Sequence, residues 1–410
     1  RHMFTNKILE APMALTFDDV ILLPGYTEIE PSQADLKTMF TKNIVLNIPI
    51  VSSPMDTVTE SKMAIELALN GCIGVLHRNC SREEEVEMAE KVKSYVFNPE
   101  EYPNAIVDDR GRLMVAAAVS PFDIKRAIEL SRYVDTLVVD VAHFHNKNVM
   151  EATKKIMEEV GVDLIVGNIG TYKAVEDILA KLEEPAALRV GIGSGSICIT
   201  GEVTGVAAPT LFAVARVSDA LVDYGARRIP VIADGGIRTP GDAVKALAAG
   251  ASTVMLGYAL AGTDEAPGKV VEVSGVIYKE YRGMGSRAAR MRRYSLDRYS
   301  KPSKAIDEGV EGLVPARGPV REVLSAWEAS MKASLGYIGA KSIRELWEKA
   351  VFARINVAVA PELAWRYYVM TTPTTIALYK GKPVQGVPGY IEEEYFEELV
   401  KEVLREAGCN

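Results

Sequence analysis

Eight short, almost purely apolar runs divide this chain, and they limit its fold more than any other feature. They are Ile48–Ser52, Ile73–His77, Leu113–Val119, Thr136–Val141, Leu164–Ile169, Leu188–Gly191, Pro230–Asp234 and Thr253–Gly257. All are rich in Val, Ile and Leu, and none alternates cleanly with polar residues. Each therefore reads as a strand covered on both faces, as in a parallel sheet. Between them lie stretches with helical spacing of apolar residues: Ser81–Ser94, Pro121–Ser131, Val149–Val160, Tyr172–Leu182, Leu211–Tyr224 and Pro240–Ala249. Strand and helix alternating eight times predicts an α/β fold of the (β/α)8 TIM-barrel type. A doubly wound open sheet is the second choice. The barrel is preferred because the count is eight and because glycine or polar residues follow most strands.

In a barrel, the segments after the strands meet at one face, where active sites are built. Here they carry the unusual chemistry: Ser52–Asp56, Asp140–His143, Asn168–Thr171, Gly191–Cys198, Asp234–Gly236 and Gly257–Tyr258. Composition narrows the function. The chain has 410 residues, 48% hydrophobic and 25% charged, an ordinary globular mixture. No apolar run approaches the roughly 20 residues that span a bilayer, and no signal-peptide core follows Arg1-His2-Met3, which reads as a tag remnant. Four cysteines are too few for a disulfide scaffold, and none sits in a metal-binding pair pattern. A net charge of −8 disfavours general nucleic-acid binding. The expectation is a soluble, cytoplasmic enzyme with no membrane or nucleic-acid partner.

Cys198 is the centre of the chemistry. A lone cysteine is usually a small buried hydrophobe. This one follows Gly193-Ser194-Gly195-Ser196 and precedes Thr200, on a loop whose backbone can approach a ligand closely. A thiol placed so is a candidate nucleophile. Asp234-Gly235-Gly236 and Gly257 lie on the late loops where barrels often hold a phosphate. Asp234 could accept hydrogen bonds from a ribose diol; the simpler reading is a tight turn with a capping aspartate.

The motifs together are more specific. Thr16–Val20, Val51–Glu60 (VSSPMDTVTE), Gly74–Asn79, Gly191–Thr200 (GIGSGSICIT), Ile232–Ile237 (IADGGI), Leu260–Gly268 (LAGTDEAPG), Tyr281–Ser286 (YRGMGS), Asp297–Tyr299 and Glu308-Gly309 occur in this order. Over residues 4–355 the chain resembles the inosine-5′-monophosphate dehydrogenase family, whose near relative is guanosine-monophosphate reductase. The resemblance implies a homotetrameric enzyme that oxidises IMP to XMP with NAD. In that reading Cys198 attacks the purine and forms a covalent thioimidate. Thr200, Arg298 and Tyr299 serve the following hydrolysis, the last two from a flap at about 272–319. Ser53, Met55, Ser196, Asp234, Gly236, Gly257, Tyr258, Tyr281, Gly283, Met284, Gly285 and Glu308 would bind the nucleotide. Asp140, Asn168, Gly191 and Gly193 would face the cofactor. Carbonyls of Gly193, Gly195 and Cys198 would hold K+.

The chain also departs from the family. Only Tyr95–Arg112 stands where paired regulatory CBS modules are usual. Tyr258 replaces a small residue near the phosphate, Phe144 a glycine beside the cofactor, and Gly201 a polar residue after Thr200. A helical pattern runs over Val320–Ala353. Residues 356–410 form a separate tail that resembles the C-terminal half of a thioredoxin-like domain, with Pro373 where that fold has a cis proline and no CxxC. An acidic amphipathic helix is expected at Ile391–Ala407. Two other readings stay open: NADPH-dependent GMP reductase, which does not need an Arg-Tyr flap, and a catalytically idle nucleotide-binding relative.

Overall fold

The apolar runs pair in sequence order. In the computed structural model, which describes residues 2–195, 198, 200–284, 311–355, 374–379, 382–388 and 391–406, they form a closed barrel of parallel strands. These are β1 (Ile50–Ser52), β2 (Ile73–Leu76), β3 (Ala116–Val119), β4 (Thr136–Asp140), β5 (Asp163–Ile169), β6 (Ala187–Val190), β7 (Val231–Asp234) and β8 (Thr253–Leu256). β8 closes on β1, with Met255 opposite Val51.

The strands are continuously apolar because two shells share them. Ile73, Val75, Val138, Ile165, Ala187 and Ile232 belong to one buried cluster, inside the barrel. Their alternating neighbours, such as Leu137, Val139, Leu164, Val166, Leu188 and Val231, belong to a second cluster with the outer helices. Phe40, Ile44 and Leu46, from before β1, join the interior cluster.

The main helices between the strands are α1 (Ser61–Leu69), α2 (Arg82–Lys93), α3 (Ile124–Leu130), α4 (Lys147–Glu159), α5 (Tyr172–Lys181), α6 (Thr210–Asp223) and α7 (Pro240–Ala248). Five begin where a side chain accepts a backbone N–H three residues on: Ser81, Asp123, Asn146, Thr171 and Thr239. Such caps satisfy donors that a helix start leaves unpaired. The helical pattern after Pro319 is two helices, α8 (Val320–Ile338) and α9 (Ile343–Lys349), followed by a short strand, Phe352–Arg354. The break is at Gly339, which is left-handed at φ 82°; a Cβ there would lie 2.2 Å from the Tyr26 carbonyl oxygen. α8 packs on α7 and α1 and completes the outer ring.

The stretch expected as a long loop has a sheet at its base. β9 (Val270–Val273), β10 (Val276–Arg282) and β11 (Glu311–Pro315) pair antiparallel. The reason is visible in the sequence: Val270–Val273 and Val276–Tyr281 are rich in β-branched and aromatic residues around a Ser274-Gly275 turn. Arg282 anchors this sheet to the barrel through Asp56, with Nη2 2.7 Å from Oδ2 and Nε 3.3 Å from Oδ1. No CBS module separates α2 from β3. The connection holds an isolated bridge between Val107 and Leu113.

Residues Arg354–Asn410 cluster as a second unit. Its described parts are an antiparallel hairpin, β12 (Thr374–Tyr379) with β13 (Lys382–Pro388), and α10 (Glu393–Glu406). Thr372, Pro373 and Cys409 lie outside the described residues.

α2 and α3 pack together over a buried ion pair. Arg126 Nη1 lies 3.1 Å from Glu85 Oε1, and the same guanidinium donates to the carbonyls of Arg78 and Cys80. Burial pushes the Glu85 carboxyl up to about 8 despite Arg126. Its folded pKa thus exceeds the unfolded one, so the native state holds the extra proton and Glu85 lowers stability as pH rises from about 4.5 to about 8. Glu85→Gln keeps a hydrogen-bonding side chain without the charge. Denaturant titrations should show its stability relative to wild type rising by roughly 2–4 kcal/mol across that window, then levelling. A constant difference across pH would contradict the assignment.

Candidate active site

At the barrel mouth the inward-facing positions turn from apolar to charged. Asp140 ends β4, Arg189 lies on β6 and Asp234 ends β7, each two residues beyond an interior apolar side chain. Arg189 is only 2% exposed. Its Nη1 donates to Asp140 Oδ1 at 2.8 Å and its Nε to Asp234 Oδ2 at 2.8 Å. Arg78, just after β2, donates to Asp140 Oδ2 at 3.3 Å and to the Asp140 carbonyl at 2.8 Å. Charges of alternating sign make this burial tolerable, because each ion has an opposite partner in place of water. Gly167 on β5 makes the room: a Cβ there would lie 2.5 Å from the Arg189 Cβ. A register shift between Gly167 and Ile169 accompanies Asn168, whose Nδ2 donates to the Gly191 carbonyl at 2.7 Å and to Asp234 Oδ2 at 2.9 Å.

Onto this layer opens a cleft with Arg189 and Asp234 in its wall, about 930 Å³ including space open to solvent. It brings together Ser53, Met55, Asn168, Gly191, Gly193, Gly195, Cys198, Thr200, Asp234, Gly236, Gly257, Tyr258, Tyr281, Gly283 and Met284. Asp140, which the family resemblance assigns to the cofactor side, is fully buried and lies behind the cleft wall. Two guanidiniums hold it below the surface, where an unpaired carboxylate would be costly. Ser196, Gly285, Arg298, Tyr299 and Glu308 lie outside the described residues. Phe144 is fully buried in the core, so it packs rather than stacking on a ligand.

Cys198 is half-buried on the cleft wall, with Sγ 3.2 Å from Thr200 Oγ1. Its N–H donates to the Gly195 carbonyl at 3.0 Å, which folds the loop back on itself. The other described cysteines are buried: desolvation pushes the Cys80 thiol up to about 12 and the Cys72 thiol higher. Neither is a nucleophile near neutral pH. The loop is tied to β7 by Thr210, whose Oγ1 donates to the Asp234 carbonyl at 2.9 Å and lies 2.6 Å from Ser194 Oγ.

At the other end of the cleft, Tyr281 Oη lies 3.8 Å from Met55 Sδ, and a Cβ on Gly257 would lie 2.7 Å from that hydroxyl. Tyr258 sets its ring edge-on to Tyr281, with centroids 6.3 Å apart, and the Arg317 guanidinium lies 5.2 Å over the Tyr258 ring. The bulky residue is thus accommodated as part of the wall.

A model of the IMP dehydrogenase / GMP reductase domain matches residues 14–364. The chain belongs to the IMP dehydrogenase / GMP reductase family. An inosine-5′-monophosphate dehydrogenase of Korarchaeum cryptofilum is 46% identical over 459 residues, spanning 86% of this chain and 96% of its own. That of Cryptosporidium parvum is 39% identical over 376 residues, spanning 84% of this chain and 92% of its own. A Trypanosoma brucei GMP reductase, solved with guanosine 5′-monophosphate, superposes with a TM-score of 0.78 at 30% identity, covering 87% of this chain and 98% of that one.

Arg189 and Arg78 were not anticipated as site residues of this family member. The signal was present: an arginine inside the apolar strand Ala187-Leu188-Arg189-Val190 must find buried partners. Gly191, at φ 133°, marks the tightest approach in the cleft wall. A Cβ there would lie 2.1 Å from the Asp234 carbonyl oxygen. Gly191→Ala should lower the melting temperature, by strain of about 1–3 kcal/mol, and weaken nucleotide binding at least about tenfold. Melting curves and calorimetry check both; unchanged values would deny the close approach any importance.

Proposed function

We propose that this chain oxidises IMP to XMP with NAD through a covalent bond to Cys198. The observation that carries the reading is Cys198 on the cleft wall beside Thr200, in one cavity with Asp234, Gly257 and Tyr281. The nucleotide would span this cavity. Asp234 would accept from the ribose hydroxyls. Gly236, Gly257, Tyr258 and Tyr281 would surround the phosphate together with Ser196. Ser53, Met55, Gly283 and Met284 would line the base and sugar, with Gly285 and Glu308 completing the purine contacts.

The chemistry balances. Cys198 Sγ bonds to C2 of the purine and its thiol proton is released, while C2 loses a hydride. NAD, held on the Asn168, Gly191 and Gly193 side, supplies the hydride acceptor. Asn168 Oδ1, a buried acceptor without a described partner, suits a carboxamide donor there. Asp140 would support that side from below. Water then adds to C2, the S–C2 bond breaks and XMP leaves; Thr200, Arg298 and Tyr299 orient that water. Keeping water out for hydride loss and admitting it afterwards is the task of a flap, and the sheet anchored through Arg282 and Asp56 is the base from which one would extend.

The carbonyls of Gly193, Gly195 and Cys198 would contribute to a K+ site. The fit is partial: the Gly195 carbonyl already accepts the Cys198 N–H, and three oxygens leave a hard cation needing more ligands. Family membership also brings a homotetramer and a cytoplasmic setting into the reading. Among the described residues no helix is long and apolar enough to cross a membrane.

The GMP reductase likeness favours a second reading, reductive deamination of GMP by NADPH. The Arg298-Tyr299 pair and the identity to named dehydrogenases favour the first. Products separate them: XMP with NADH, or IMP with ammonia. A stopped-flow burst of NADH with IMP and NAD is expected. Cys198→Ser should abolish the burst and cut turnover at least about a thousandfold while IMP still binds within about tenfold. Turnover that survives the serine would end the covalent reading. No burst from wild type would leave the reductase, which IMP and ammonia formed from GMP and NADPH would reveal, or nucleotide binding without turnover.

A further inference from the structure

We propose that Arg189 is a positioning residue for sugar selectivity: it orients Asp234 so that one carboxylate oxygen is reserved for a vicinal diol. Preference for a ribonucleotide over its 2′-deoxy form would then depend on a buried ion-pair chain that ends away from the ligand. The inference rests on the reading that Asp234 receives the ribose.

Asp234 Oδ2 accepts from Arg189 Nε at 2.8 Å and from Asn168 Nδ2 at 2.9 Å. No described residue donates to Oδ1, and the side chain is 15% exposed on the cleft wall. Two donors from different strands, β6 and β5, hold one oxygen and set the carboxylate plane. The other oxygen is left for a ligand hydroxyl.

Arg189 is itself held. Its Nη1 is fixed by Asp140 at 2.8 Å, and Asp140 is fixed by Arg78. Its side chain lies where Gly167 leaves space. A guanidinium can address two carboxylates in different directions at once, whereas an ammonium concentrates its donors at a single nitrogen. Arg78, Asp140, Arg189 and Asp234 alternate in sign, so altering one end shifts the balance at the other. A ligand lacking one hydroxyl would forfeit a hydrogen bond to an oriented charged acceptor, the kind of loss that gives strong discrimination.

The test is calorimetric binding of IMP and 2′-deoxy-IMP to the full chain, so that it does not depend on which reaction the site performs. Wild type, Arg189→Lys, Asp234→Asn and the double variant are compared. Arg189→Lys should weaken IMP by roughly ten- to a hundredfold and bring the ribo-to-deoxy preference to within about threefold of unity. Asp234→Asn should do the same, and the double variant should bind no worse than Asp234→Asn alone, because the two residues act as a unit. Equal weakening of both nucleotides by Arg189→Lys, with the preference kept, would show a merely structural role and overturn the proposal. So would losses that multiply in the double variant. Should Asp234→Asn keep the preference, the ribose assignment falls and this inference with it. Should Asp234→Asn lose the preference while Arg189→Lys keeps it, the assignment stands and Arg189 has no such role. If Arg189→Lys does not fold, Asp140→Asn probes the chain from its far end: partial loss of preference is expected, and full retention would refute the coupling.

Discussion

A guanidinium held between two carboxylates inside the barrel mouth is the interaction on which the site depends. Arg189 reaches Asp140 on one side and Asp234 on the other; Arg189 and Asp140 have almost no access to water, and Asp234 meets the cleft. Below it the interior is apolar; above it the cleft opens. A lone charge would be prohibitive at this depth, so the layer exists only as a set. That interdependence explains the glycine on β5 and the buried Arg78. It also explains the asparagine that shares the Asp234 oxygen.

The rest of the site is loop geometry mounted on that layer. The Gly191–Cys198 loop crosses the Asp234 backbone too closely for a side chain at position 191. Thr210 and Ser194 tie it to β7. The thiol is therefore carried on a glycine-rich loop that is anchored to β7 on its Ser194 side. A reactive group must meet a ligand at a defined place, and such anchoring limits where it can go. The antiparallel sheet of β9, β10 and β11 is joined to the same mouth by the Arg282–Asp56 pair.

Departures from the family are absorbed locally. The missing CBS modules leave a short connection between α2 and β3, and the barrel closes without them. Phe144 disappears into the core. Tyr258 remains in the cleft wall, bracketed by Tyr281 and Arg317, so a larger side chain enters without displacing the strand beneath it.

Much of this was legible in the chain itself. Apolar runs that tolerate no water on either face must be buried parallel strands, and eight of them with helices between have few ways to close. Motifs such as Gly191–Thr200 and Ile232–Ile237 located the cleft wall, because chemistry that needs glycine beside a nucleophile leaves a local pattern. Local pattern says nothing about partners distant in sequence. That Asp140 is held beneath the surface is not written locally, because Arg78 and Arg189 approach it from segments far apart in the chain. The sheet at the flap base and the break at Gly339 are also consequences of neighbours brought close in space. Periodicity and residue type determined which segments are strands and which loops carry the chemistry. Only the folded barrel decided which charges are buried together, since electrostatic pairing acts across space and not along the sequence.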